Sequence, residues 1–94
     1  DIQTIFFKGS YINDGTFGTN LSSYWIYSTT GDITSFTDWV PLNTKSGIYT
    51  IGDTCNHDFT LMNAKPGYYS LVIGRENQVL SSVCRAASQV IHVQ

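Results

Sequence analysis

Almost nowhere in this chain do apolar residues recur with the 3.6-residue spacing of a helix. Short runs of β-branched and aromatic residues stand in their place, cut by Gly, Asn and Asp. That pattern points to an all-β fold of short antiparallel strands. Residues 3–8 read as a first strand, and 9–20 as a loop with Asn13-Asp14-Gly15 as a primed-type turn signal. Residues 21–28 read as a second strand, with Leu21, Ser23, Trp25 and Tyr27 on one face and Ser22, Tyr24, Ile26 and Ser28 on the other. Aromatics on both faces predict that this strand is covered on both sides. Residues 29–32 read as a turn, and 35–39 as one short helical turn capped by Ser35 and stopped by Pro41. Further strands are expected at 48–51, 59–62, 68–73, 78–85 and 88–93, with a polar loop over 52–58 and a turn at 64–67. The sum is a small antiparallel meander or sandwich of about six or seven strands.

Ninety-four residues make one domain, taken here as 1–94. A chain of this length removes only about 60–65% of its unfolded surface from water, so its core is thin and a disulfide or a partner subunit is expected to help. Charged residues are 13% of the chain, about half the usual share, while aromatics are 14%. The surface must therefore be built largely of hydroxyl, amide, glycine and tyrosine groups, a composition suited to contact faces. The net charge is −2 and Lys8, Lys45, Lys65, Arg75 and Arg85 are dispersed, which excludes the basic stripe that nucleic acid or an acidic membrane surface demands. No apolar run reaches the roughly 18 residues of a membrane span. The opening Asp1-Ile2-Gln3 suggests a mature product or an excised piece of something longer.

Cys55 and Cys84 lie 29 positions apart. Paired, they would close a loop worth roughly 3–4 kcal/mol. Left unpaired, they would be two buried thiols.

The stretch Trp39-Val40-Pro41-Leu42-Asn43-Thr44-Lys45-Ser46-Gly47-Ile48-Tyr49 resembles the opening of the knob-type domains of bacteriophage tail fibres and R-type pyocin fibres. A Pro-containing turn at 63–67, a strand with a Leu-Val pair at 68–73, and closing strands over 78–84 and 89–93 occupy the places that follow in that family. The resemblance covers residues 39–93; residues 1–35 would be an N-terminal extension of the same domain. It implies the receptor-binding tip of a phage tail fibre: a virion protein, homotrimeric, attaching to a host-cell surface polysaccharide or protein. The thin core agrees with a fold completed by trimerisation.

A sugar ring presents an apolar face to an aromatic side chain and hydroxyls to amides and carboxylates. Tyr11, Asn13, Asp14, Trp25, Tyr27, Tyr68 and Tyr69 are the candidate ligand-binding residues on that ground, with Tyr11 expected to be the most exposed. Tyr68 and Tyr69 should lie on opposite faces of one strand. Asp53, Cys55 and His57 alternate at period two and are competent metal ligands, but no fourth ligand stands near, so no metal and no cofactor is expected. His57 or His92 on a symmetry axis would gather three imidazoles in a trimer. Catalysis is not expected either. The close carboxylate pairs Asp53/Asp58 and Asp32/Asp38 sit in turn-rich sequence that explains an Asp without chemistry, and no nucleophile elbow or phosphate loop occurs. Asn20-Leu21-Ser22 is a glycosylation sequon, meaningful only in a eukaryotic secretory setting. Two other readings stand beside the fibre tip. One is a secreted, disulfide-stapled β toxin or effector held by Cys55–Cys84. The other is a purely structural trimerisation module.

Overall fold

A computed structural model describes residues 3–76, 80 and 84–94. It is all-β and antiparallel, with strands β1 (Ile5–Phe7), β2 (Ser10–Ile12), β3 (Asn20–Ser28), β4 (Val40–Ile48), β5 (Thr54–Asn56), β6 (Phe59–Leu61), β7 (Gly67–Arg75), β8 (Arg85–Ala86) and β9 (Ile91–Val93). The main sheet runs in the order β4-β3-β7, with β8 and β9 both pairing to the far side of β7. Strand β3 is its axis, and seven of its nine residues are buried in the pattern expected of a strand covered on both faces. Its register sets Trp25 beside Leu71, Tyr27 beside Tyr69 and Ser23 beside Ile73.

A second layer covers the Trp25 face. Strands β1 and β2 pair with β6 and β5 in one unbroken register, Ile5 opposite Leu61 through Ile12 opposite Thr54. The His57 N–H, donating to the Gly9 carbonyl at 2.8 Å, carries the pairing across the gap between the two ladders. Alternation along this ribbon is complete. Phe7, Tyr11, Asn13, Cys55 and His57 turn inward and are buried, while Phe6, Lys8, Ser10, Ile12, Asn56, Asp58 and Thr60 are exposed. Phe7, Trp25, Tyr69, Leu71 and Val93 form the main cluster between ribbon and sheet, with Tyr11, Phe17, Leu21 and Ile73 at the far end. Gly9 lets the ribbon come down close: a Cβ there would stand 2.4 Å from Leu71 and 2.9 Å from Trp25.

The opposite face of the sheet is covered by the segment between β3 and β4 and by Leu80 and Cys84. Tyr24, Ile26, Trp39, Val72 and Cys84 are buried there, with Ile33, Phe36, Tyr68 and Leu80 against them. The short helical turn is a single 3-10 turn, Phe36–Asp38; Ser35 precedes it, but its hydroxyl meets Thr37 instead of capping the backbone. Trp39 anchors the segment, its indole N–H donating to the Asp32 carbonyl at 2.7 Å.

The strand expectations over 3–8, 21–28, 59–62, 68–73 and 88–93 each meet an observed strand. Three expectations need correction. The loop over 9–20 contains β2, and the polar loop over 52–58 contains β5. The third strand lies earlier than 48–51: it is the nine-residue β4, ending at Ile48. Asn13-Asp14-Gly15 does turn, but it leads from the ribbon to the main sheet and does not close a hairpin between paired neighbours. The strand expected at 78–85 falls mostly outside the described residues. No helix among the described residues is long and apolar enough to cross a membrane.

Candidate functional site

The sequence candidates divide by depth. Trp25 is fully buried and Tyr69 is 1% exposed, so neither presents a ring face to a ligand. Trp25 sits at the centre of the main cluster, with Phe7 at 5.0 Å between ring centroids, and its indole N–H donates to the His57 carbonyl at 2.7 Å. Tyr11, expected to be exposed, is 6% exposed, because the loop reading missed that it points inward from β2. Asn13 is also interior. Its amide donates to the carbonyls of Gly18 and Tyr49, and its Oδ1 accepts from the Gly15 N–H, so it fastens the 13–19 loop. Asp14 is exposed and fully engaged: Oδ1 accepts from Thr16 N–H, Thr16 hydroxyl and Tyr11 hydroxyl, and Oδ2 meets Arg85 at 3.0 Å. The Thr16 bonds foremost, then Arg85 and Tyr11, hold its carboxyl well below the usual range. Tyr68 and Tyr69 do lie on opposite faces, and the half-buried Tyr68 stacks on His92 at 4.3 Å.

Cys55 and Cys84 are not joined to each other. Both are buried, Cys55 opposite Tyr11 under the ribbon and Cys84 in the cluster on the other face of the main sheet. The sheet stands between them, so the Cys55–Cys84 disulfide, one of the two readings left open by the sequence, is not formed. Asp53, Cys55 and His57 do not converge on a common point either. Asp53 is exposed and caps the turn through Thr50, whose N–H and hydroxyl donate to its carboxylate at 3.0 and 2.8 Å. The period-two alternation of these residues marks a strand, not a ligand set.

Both ring nitrogens of His57 are engaged inside. Nδ1 lies 2.7 Å from the Ser23 hydroxyl and Nε2 lies 2.9 Å from Asn43 Oδ1. An Nε2–H tautomer donates to Asn43 and accepts from Ser23, tying ribbon, β3 and β4 together. Burial foremost, then Lys45, holds the His57 pKa below its usual value, with Asp58 opposing. A hydroxyl, an imidazole and an amide in line have the order of a nucleophilic triad. Ser23 is 1% and His57 4% exposed, so no substrate carbonyl reaches the hydroxyl in this conformation. The chain of bonds is a structural pin.

Among the open recesses of the described residues, the one with the most apolar lining lies at the Val40 end of β4. A groove of about 290 Å³ is bounded by Val40 and Leu42 on one side and by Leu61, Met62, Asn63 and Lys65 on the other, with Tyr27 and Tyr69 beneath. Val40, Leu42 and Met62 are 53%, 39% and 68% exposed. The tyrosine hydroxyls are spent on the turn, Tyr27 donating to the Pro66 carbonyl and Tyr69 to that of Lys65, both at 2.7 Å. What faces a ligand is thus apolar wall, with the Asn63 amide and the Lys65 ammonium at the rim. Asn63 holds the rim in place with a left-handed backbone, φ 58°. Of the sequence candidates the groove gathers Tyr27 and Tyr69. Sequence reasoning missed Val40, Leu42, Met62, Asn63 and Lys65 as site residues, although Val40 and Leu42 lay within the knob-like stretch and Asn63 and Lys65 within the turn that follows it.

No protein-family model, curated protein or solved structure matches the chain. Fold and groove define the class: a three-layered, all-β domain with an open apolar groove.

Proposed function

We propose that this chain is the receptor-binding tip domain of a phage tail fibre, a homotrimer on the virion that attaches to a host-cell surface glycan or protein without chemical turnover. The observation that carries this reading is the groove, whose walls are apolar and exposed while its rim offers one amide and one ammonium. Mostly apolar pockets with a few placed polar groups are what binding sites look like. The resemblance over residues 39–93 supports the fibre assignment, and the knob-like stretch coincides with Trp39, β4 and Tyr49. Phe6 and Ile12 on the outer side of the ribbon, and Ile51 in the turn before β5, are 74%, 65% and 70% exposed. Such residues suit a surface covered by neighbouring copies. They also favour a second reading, a structural trimerisation module with binding done elsewhere. The secreted, stapled alternative loses the cross-link on which it depended.

The test is retention of the purified chain on an array of bacterial surface polysaccharides and envelope proteins. Selective retention, lowered at least tenfold by Leu42→Asp and by Lys65→Glu, is the expected result. A trimer retained by nothing would overturn the binding function and leave the structural module.

A further inference from the structure

Strand β4 is the outermost strand of the main sheet, and from Asn43 to Ile48 its hydrogen-bonding groups alternate between β3 and the open side. The Tyr49 N–H donates to the Thr19 carbonyl, which fixes the odd-numbered residues from Asn43 to Gly47 as the ones bonded to β3, up to the register shift opposite Trp25 and Ile26. On the other side of β3, the Glu76 N–H donates to the Asn20 carbonyl, so the even-numbered residues of β3 bond to β7. The two patterns agree. Thr44, Ser46 and Ile48 therefore direct their N–H and C=O groups away from the sheet, and no described strand pairs with that edge. Natural edges are blunted by charges, prolines or bulges. Here the proline and the irregularity sit together at one end, at Pro41 and opposite Trp25 and Ile26. The one lysine of the strand, Lys45, is turned back over the ribbon, its ammonium donating to the Asn56 carbonyl at 2.6 Å. The stretch from Thr44 to Ile48 is left open.

The groove lies at the Pro41 end of the same strand, next to the open stretch, since Val40 and Leu42 are both part of β4 and part of the groove wall. An edge offering backbone pairing, with an apolar recess at its end, is the arrangement by which a sheet adds an extended peptide. Neither β4 nor the groove lining contains an acidic residue, and Lys65 stands at the rim. We infer that the β4 edge and its groove take an extended segment of a partner protein, which pairs with Thr44–Ile48, seats one large apolar side chain between Leu42 and Met62, and sets a carboxylate against Lys65. This rests on reading the domain as a binding module and narrows its ligand from glycan or protein to an extended acidic-apolar peptide strand.

The experiment is selection of a displayed random decapeptide library on the immobilised 94-residue chain, counter-selected on the Thr44→Pro variant. Proline at position 44 removes an outward N–H without cutting the ladder to β3. Selected peptides should carry one large apolar residue near an Asp or Glu. They should bind Thr44→Pro and Leu42→Asp at least tenfold more weakly, and should slow amide exchange at Thr44, Ser46 and Ile48. Lys65→Glu should reverse the preference from acidic to basic peptides. Failure to select any peptide, or equal binding to wild type and Thr44→Pro, would overturn the inference. So would protection of those three amides in the chain alone, rising with its concentration, because a second copy would then be the occupant. Should Thr44→Pro not fold, Leu42→Asp and the wild-type exchange pattern decide the question. Polysaccharide retention that survives Thr44→Pro, with no peptide selected, would defeat the strand inference while sparing the binding function; loss of both would defeat both.

Discussion

Trp25 and His57 show how much of this fold rests on single side chains. Trp25 is fully buried, in contact with the main cluster, and its N–H is satisfied by the ribbon backbone. Trp25→Ala should cost about 3–5 kcal/mol in urea unfolding, a large part of the stability of a small domain. His57 gives a pH dependence whose sign follows from its environment. The folded pKa is lowered, so below the unfolded value of about 6.5 the unfolded chain binds the extra proton. Stability is full above that pH and falls as the pH drops through the folded pKa. The melting temperature should decline as the pH falls below about 6.5, and His57→Gln should flatten that slope while lowering the whole curve. A wild-type slope retained in the variant would contradict the assignment. Asp14 and Asp32 have carboxyl groups held low, chiefly by Thr16 and Thr34, and add a second decline only below about pH 4.

At the scale of elements, β4 and β7 behave oppositely. Strand β7 is buried along nearly its whole length and begins at Gly67, whose φ of 147° and 2.6 Å approach to the Tyr27 ring leave no place for a Cβ. Gly67→Ala should lose about 2 kcal/mol of unfolding free energy. Leu42→Ala, on the exposed edge, should lose under about 1 kcal/mol and act on binding instead. The same contrast decided what the sequence could reveal. Strands β3 and β7 were legible because they pack on both faces and are dense in aromatic and β-branched residues. Strand β4 was not, because an edge exposed on both sides needs no apolar alternation, and Pro41 with Asn43-Thr44-Lys45-Ser46-Gly47 reads as loop. Strands β2 and β5 were hidden because each is three residues long with a single inward side chain, Tyr11 or Cys55, and runs straight into a polar inward residue, Asn13 or His57, whose partners come from distant parts of the chain. The groove was illegible for the same reason: its walls join β4 to the turn after β6, two segments that no local spacing connects.

The whole molecule is elongated, 42 × 24 × 19 Å, and among the described residues its most exposed apolar side chains fall mainly in two places. One is the groove with the β4 edge; the other is the outer side of the ribbon, at Phe6 and Ile12, with Ile51 nearby. The proposed trimer uses the second and leaves the first for a ligand. Phe6→Lys combined with Ile12→Lys should therefore dissociate the trimer without weakening ligand binding per chain, whereas Leu42→Asp should do the reverse. Light scattering and peptide titration of the two variants separate these effects.

Whether this fibre-tip domain is completed by its own copies is read from the solution mass of the purified chain with and without reductant. Three times the chain mass of 10.5 kDa is expected, unchanged by reductant because Cys55 and Cys84 lie on opposite faces of the sheet. A monomer of 10.5 kDa that unfolds on reduction would contradict it.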